Sequence, residues 1–315
     1  MGEININTPY DDVFRTLVER STHLLIPLIN ERFHTKYGMD ALAEPLANEH
    51  FYTERDAKQV KRVTDSSIRI MNHLYHLECQ TTPDGDIVIR MVEYDFHIGL
   101  GNISTNNGRR ELKFPQSAIL QLRSNKNTSD EEVLDIVFAD GERYTYKVPV
   151  IKIKDYSREE IFEKELYVLL PFYIFKYEKE LAKIEESEEK LSLLKEEFES
   201  IKSELEGLKL AGKISTSDAR NIIVLSKKVI DNIAIKYEKI KEGVGTVMGG
   251  KLIDTDAYII EMRGIKLGEK LGGIQMLISD NLDEGKDKEY IISKLCKRFE
   301  LSTEEALKYW EKFNK

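Results

Sequence analysis

TDSSIRIMNHLYHLECQTT, residues 64–82, decides how this chain is read. Polar and apolar residues alternate through it with a period of two, the pattern of a β-strand covered on one face. A turn near Met71-Asn72 folds the run into a hairpin. Residues i and i+2 of a strand share a face. One face therefore carries Asp65, Ser67, Arg69, His76, Glu78 and Gln80, and the other carries Ile68, Ile70, Tyr75, Leu77 and Cys79. Asp65 then lies across from Glu78. Two carboxylates on neighbouring strands suit a hard divalent cation, because carboxylate oxygens are the preferred ligands of Mg²⁺ and Mn²⁺. The plainer reading is an acidic pair on the wet face of a half-buried hairpin, and spacing alone leaves both open.

Working outward, residues 9–37 predict one helix, opened by Asp11 or Asp12 after Pro9 and ended at Gly38. Residues 59–80 supply the hairpin. Asp84-Gly85 is a turn, and 86–100 reads as a helix whose apolar stripe includes Ile87, Met91, Ile98 and Leu100. GNISTNNGRR is a Gly/Asn-rich loop, SAILQLR (117–123) a strand, and the segment around Asp140-Gly141 a β-hairpin. From about residue 158 onward only helices are expected, LYVLLPFYIF (166–175) among them as a buried one. Residues 177–210 show a heptad: Ile184, Leu191, Phe198 and Leu205, with Ser187, Leu194, Ile201 and Leu208 three later. That seam predicts either an antiparallel hairpin with a helix over 217–241 or a dimerising coiled coil. VGTVMGGK reads as a flexible break, since its Gly-Lys is followed by Leu252 and the spacing of a phosphate loop fails. The tail 254–315 is helical in pattern but punctuated by glycine, and ends in a two-helix unit capped at Ser302 or Thr303. A DNA-reading helix-turn-helix is the alternative there; acids and the lack of arginine in the last helix favour simple packing.

No apolar run approaches the roughly 20 residues that span a bilayer. The start, MGEININTPYDD, has neither the basic nor the apolar region of a secretory signal. Two distant cysteines, Cys79 and Cys296, predict no disulfide framework, so a cytoplasmic location is expected. The net charge of −9 weighs against sequence-blind binding of polyanions. It does not exclude a local basic stripe, for which Lys58, Lys61, Arg62, Arg69, Arg90, Arg109, Arg110, Lys113 and Arg123 are the candidates.

Asp65, the pair Glu78-x-Gln80 and the run YHLECQTTPDGDIVIRMVEYD resemble the core of the PD-(D/E)XK nuclease superfamily. More narrowly, they resemble the Rpn-type recombination-promoting nucleases, also described as PD-(D/E)XK nuclease family transposases. The resemblance implies an α/β fold: a restriction-endonuclease-like core, a mixed sheet flanked by helices, followed by an all-α helical arm and a C-terminal helical tail. The expected domains are a nuclease domain over 1–176, the arm over 177–241 and the tail over 242–315. It also implies an endonuclease that cleaves DNA with Mg²⁺, or Mn²⁺, held by Asp65 and Glu78. Gln80 stands where the superfamily usually has lysine. An amide can orient a water but brings no charge, so Arg90, one helix on, is the candidate cation at the phosphate, and a structural ion pair with Glu93 or Asp65 is its competing role. Asp11 matches an acid of the family's first helix, although an N-cap explains it without catalysis. His76 is expected to be exposed or at the core edge, and Cys79 to be inert packing. An inactive nuclease fold acting through its arm, with a homodimer through that arm, and an RNA-directed nuclease are the alternatives.

Overall fold

The computed structural model describes residues 9–46, 49–53, 59–63, 66–249, 271–282, 285–299 and 301–314. Its centre is the hairpin. Strand β4 (Ser67–Ile70) and strand β5 (His73–Gln80) pair antiparallel, Ile70 opposite His73 and Ser67 opposite His76, around a turn at Met71-Asn72. This is the register that the alternation required. The preceding segment behaves differently from expectation: β3 (Gln59–Val63) pairs with β2 (Glu49–Thr53) in a separate ladder.

Six strands form one mixed sheet in the order β1-β4-β5-β8-β10-β9. Here β1 is Ala43–Pro45, β8 Gln116–Gln121, β9 Glu131–Val137 and β10 Arg143–Lys152. The three middle strands β5, β8 and β10 run parallel, and the outer strands are antiparallel to their neighbours. Helix α3 (Ile87–Leu100) makes the crossover from β5 to β8. It packs Ile87, Val88 and Met91 against Ile119, Tyr146, Val148 and Val150. Leu100, expected in that stripe, is exposed, and Tyr94 and Asp95 are buried instead. The loop expected between α3 and β8 contains a small hairpin, β6 (Ser104–Asn106) and β7 (Arg109–Glu111). Asn107 and Gly108 turn it with φ of 49° and 76°, values that Asn-Gly adopts at little cost.

The other face of the sheet is covered by α1 (Pro9–Arg20) and α2 (Ile26–Phe33), with Phe33 packed on Tyr75 at 5.5 Å between ring centroids. The single helix expected over 9–37 is broken at Ser21 by a 3₁₀ turn, Thr22–Leu25, which re-aims the chain so that both halves bury apolar residues. Because α1 starts at Pro9, Asp11 sits inside its first turn and is not the cap. An acid there still favours the helix through the macrodipole.

Beyond the sheet come α4 (Arg158–Glu163), a long 3₁₀ stretch Tyr167–Glu180, α5 (Leu181–Glu185), α6 (Glu188–Leu210), α7 (Thr216–Ile233) and α8 (Glu238–Gly249). The apolar segment 166–175 is buried as expected, but as 3₁₀ helix, with Pro171 inside it. The heptad seam is interrupted because Ser187 leaves it to cap α6. Ile184, Leu191, Leu194, Phe198, Ile201 and Leu205 are all buried within the chain, where α6 lies against α5 and α8. A homodimer using that seam would have to displace this packing. Helix 217–241 is divided between α7 and α8, and α7 lies on α1 and the 3₁₀ stretch. Residues 244–249, expected as a flexible break, are helical: Gly243, Gly245 and Gly249 let α8 approach Lys195, Asp231 and Lys227.

The chain divides into two compact units, 1–250 and 251–315, so the arm belongs to the same unit as the sheet. In the second unit a helix over 271–282 (α9), α10 (Lys288–Phe299) and α11 (Thr303–Phe313) enclose Ile274, Ile278, Ile291, Leu295 and Trp310. Ser302 and Glu305 form the expected capping box. Among the described residues no helix is long and apolar enough to cross a membrane.

Candidate active site

The even-numbered side chains of β5 face α3, and the helix covers them. The face expected to be wet is therefore buried: His76 has no exposed surface and Glu78 is 3% exposed. His76 lies between two carboxyl groups, Nδ1 at 2.7 Å from Asp95 Oδ1 and Nε2 at 3.3 Å from Glu78 Oε2. The Tyr94 ring closes on its edge at 5.9 Å. Burial alone would push the His76 pKa down, but hydrogen bonds and charge from Asp95 and Glu78 outweigh it and hold the pKa up at about 10. His76 is thus an imidazolium in the core, a correction to its expected place at the edge.

Asp95 is the hub of this network. Its Oδ2 accepts from Ser117 Oγ at 2.6 Å and from the Tyr146 hydroxyl, while Oδ1 serves His76. Burial, then the Asp95 charge, drives the Tyr146 pKa upward. Helix α3 delivers the acid, β8 the serine and β10 the tyrosine. None of the three was anticipated. The available signal was Asp95 itself: it stands four residues after Met91 and three before Ile98, within the stripe that faces the sheet, and an acid there needs partners.

Gln80 sits at the end of β5, where the cover of α3 thins. Its Oε1 accepts from Arg90 Nη2 at 3.3 Å, and Arg90 Nη1 pairs with Asp84 Oδ2 at 2.5 Å. Among the described residues the ion-pair partner of Arg90 is therefore Asp84, and its charge is shared before any ligand arrives. A backbone hydrogen bond from Asp86, and then the Arg90 contact, hold the Asp84 carboxyl below the usual range. Next to Glu78 the ladder is completed by a side chain: Ser66 Oγ donates to Leu77 O at 2.7 Å and accepts from Leu77 N at 3.1 Å.

Asp65 lies outside the described residues, as do Lys58 and the side chains of Lys61 and Arg62. The structure brings together Glu78, Gln80 and Arg90, and adds His76 and Asp95. Arg69 is used elsewhere, donating to Asn102 Oδ1 at 2.7 Å, and Arg123 makes a two-pronged pair with Glu178. Arg109 and Arg110 belong to the exposed β6–β7 hairpin, and Lys113 to the connection between β7 and β8. Cys79 is buried on the opposite face, as expected of packing. Among the described residues no group of three or more His, Cys, Asp or Glu is arranged to hold a metal ion. No family model, no curated protein and no solved structure matches this chain.

Proposed function

We propose that the chain is a metal-dependent endonuclease of the PD-(D/E)XK type, acting on DNA, with its centre at Glu78, Gln80 and Asp65. The observation that carries this reading is a carboxylate buried on a middle strand, Glu78, with an amide two residues on at the strand's open end and a guanidinium bonded to that amide. Packing alone does not call for a buried carboxylate there, since an apolar residue would fill the position without the cost of desolvation.

The donors suit a hard cation in part. Glu78 and Gln80 offer oxygen ligands, whereas the Asp95 carboxyl is consumed by three hydrogen bonds. Mg²⁺ keeps several waters and binds proteins through one or two carboxylates, so Glu78 and Asp65 would hold it. When bound, such an ion supplies a more acidic water and neutralises charge on the phosphate. The residues of the chain do the positioning. Imidazolium His76 fixes one oxygen of Glu78 and offsets its charge, and Asp95 fixes the imidazole. Arg90 holds the carbonyl of the Gln80 amide, which leaves the amide nitrogen to donate to a water or a phosphate oxygen.

The test is nicking of supercoiled plasmid by the purified chain with Mg²⁺ or Mn²⁺, beside an EDTA control and Glu78→Ala. Metal-dependent nicking that disappears in the variant supports the proposal, and equal nicking by both proteins rejects the site. A second reading, a catalytically silent nuclease fold, is favoured by the commitment of Glu78 to His76 and of Arg90 to Asp84. Absence of cleavage on DNA and RNA alike would select it, and cleavage of RNA alone would change the substrate.

A further inference from the structure

The parallel strands β5, β8 and β10 end on the same edge of the sheet, and a cleft of about 610 Å³ opens there. Its wall takes a residue from the chain leaving each strand: Pro83 after β5, Arg123 and Lys126 after β8, and Lys154 after β10. The 3₁₀ stretch Tyr167–Glu180 completes it with Lys176, Glu178 and Lys179. In open α/β sheets, ligands sit outside the carboxyl ends of the strands.

The charge of this cleft runs against that of the whole chain. Five cations line it against a single carboxylate, in a protein of net charge −9. That carboxylate, Glu178, is already held by Arg123, with contacts of 2.6 to 2.9 Å. Lys176 donates to the carbonyl oxygens of Lys154 and Tyr156, and burial lowers its pKa. Lys152, at the end of β10, spends its charge on Asp130 at 2.6 Å. Lys126, Lys154 and Lys179 are exposed and form no ion pair among the described residues. Three exposed ammonium groups thus line a cleft whose one carboxylate is already paired with Arg123, and lysine is suited to phosphate as a point charge.

We propose that this cleft is a phosphate-binding site, taking a phosphorylated ligand whose phosphate groups rest on Lys126, Lys154 and Lys179 above the Arg123–Glu178 pair. It stands apart from the nuclease reading, because none of its residues belongs to the Glu78 centre. A free oligophosphate and the backbone of a polynucleotide strand present the same chemistry, and the test separates them.

The test uses the full chain in EDTA, so that cleavage plays no part, with two probes: inorganic tripolyphosphate followed by calorimetry and a fluorescein-labelled oligodeoxynucleotide followed by anisotropy. The double variant Lys126→Glu/Lys179→Glu reverses two exposed charges. Lys228→Glu/Lys241→Glu, on α7 and α8, is matched to it in charge. The expected result is saturable binding of at least one probe, weakened about ten-fold or more by the cleft variant and about two-fold or less by the control. Binding of tripolyphosphate alone identifies a small phosphorylated ligand, and oligonucleotide binding that falls steeply with salt identifies a strand. Either supports the site. The proposal is overturned if the wild type binds neither probe at low salt, or if the cleft variant binds as tightly as the control. Circular dichroism melts of both variants confirm that the fold is intact.

Discussion

Replacing Asp95 by Asn tests the buried network most directly. The substitution keeps the shape of the side chain but exchanges one acceptor oxygen for an NH₂ group, while His76, Ser117 and Tyr146 all aim donors at the two original oxygens. At least one of those donors then meets a donor. A buried polar group left without its partner costs about 1–3 kcal/mol, and breaking a buried ion pair from one side costs about 3–5 kcal/mol. The retained oxygen recovers part of this, so a loss of about 3 kcal/mol is expected. The pH dependence follows from the sign of the His76 shift. Its folded pKa of about 10 lies above the ordinary 6.5, so its contribution is complete below 6.5 and disappears as pH rises through about 10. In Asp95→Asn the imidazole loses its stronger partner, and this alkaline decline begins at lower pH. The assay is urea unfolding followed by far-ultraviolet circular dichroism at several pH values. The sole tryptophan, Trp310, belongs to the second unit, so its fluorescence would follow the wrong part of the molecule. A variant within about 1 kcal/mol of the wild type at neutral pH would refute the reasoning.

Two further outcomes concern packing and a second polar cluster. Asp218 closes the capping box of α7 opposite its N-cap Ser215 and accepts from Ser21 and His23, tying the end of α1 to the arm. Asp218→Ala should cost about 2 kcal/mol in urea unfolding. Burial would raise the Asp218 pKa, but hydrogen bonds from His23, Ser215 and Ser21 hold it down at about 2. Its contribution is present above 3.8 and lost as pH falls through about 2, so acid titration of Asp218→Asn should lack this limb. Gly99→Ala places a Cβ 2.6 Å from Leu112 Cδ2 and 3.0 Å from the Lys113 carbonyl. Overpacking of about 1–3 kcal/mol should outweigh the gain in helix propensity of about 1 kcal/mol, and a thermal melt of the variant checks the sign.

The turn and register of the β4–β5 hairpin were legible because alternation is a local signal and Met71-Asn72 leaves little choice of turn, whereas the edge strand β1 and the separate β2–β3 ladder were not. Among the described residues the two faces also match the expected sorting. What the alternation could not say is which polar face is wet. That is set by α3, whose covering of His76 and Glu78 depends on Asp95 finding partners on β5, β8 and β10, contacts between residues far apart in sequence. The hairpin at Asn107-Gly108 was missed: the glycine- and asparagine-rich composition around it suggests a loop and hides a strong turn pair. The heptad points to a buried seam, which holds for Ile184, Leu191, Leu194, Phe198, Ile201 and Leu205 and fails at Ser187, yet periodicity carries no information on whether the covering helix comes from the same chain. Here it does.

Helix α8 has a consequence for how the molecule opens. Gly243 and Gly245 lie inside it, and the aliphatic stems of Lys195 and Lys227 run close against its backbone. Each interior glycine costs about 1 kcal/mol relative to alanine, so this segment has little reason to be helical in isolation. Its amides are protected only while α6 and α7 are docked to receive it. α8 is therefore the part of the arm whose hydrogens should exchange with solvent earliest, in openings too small to disturb the sheet. Its release would open the side of α6 that lies against it, so the same segment that completes the arm keeps that side from other chains.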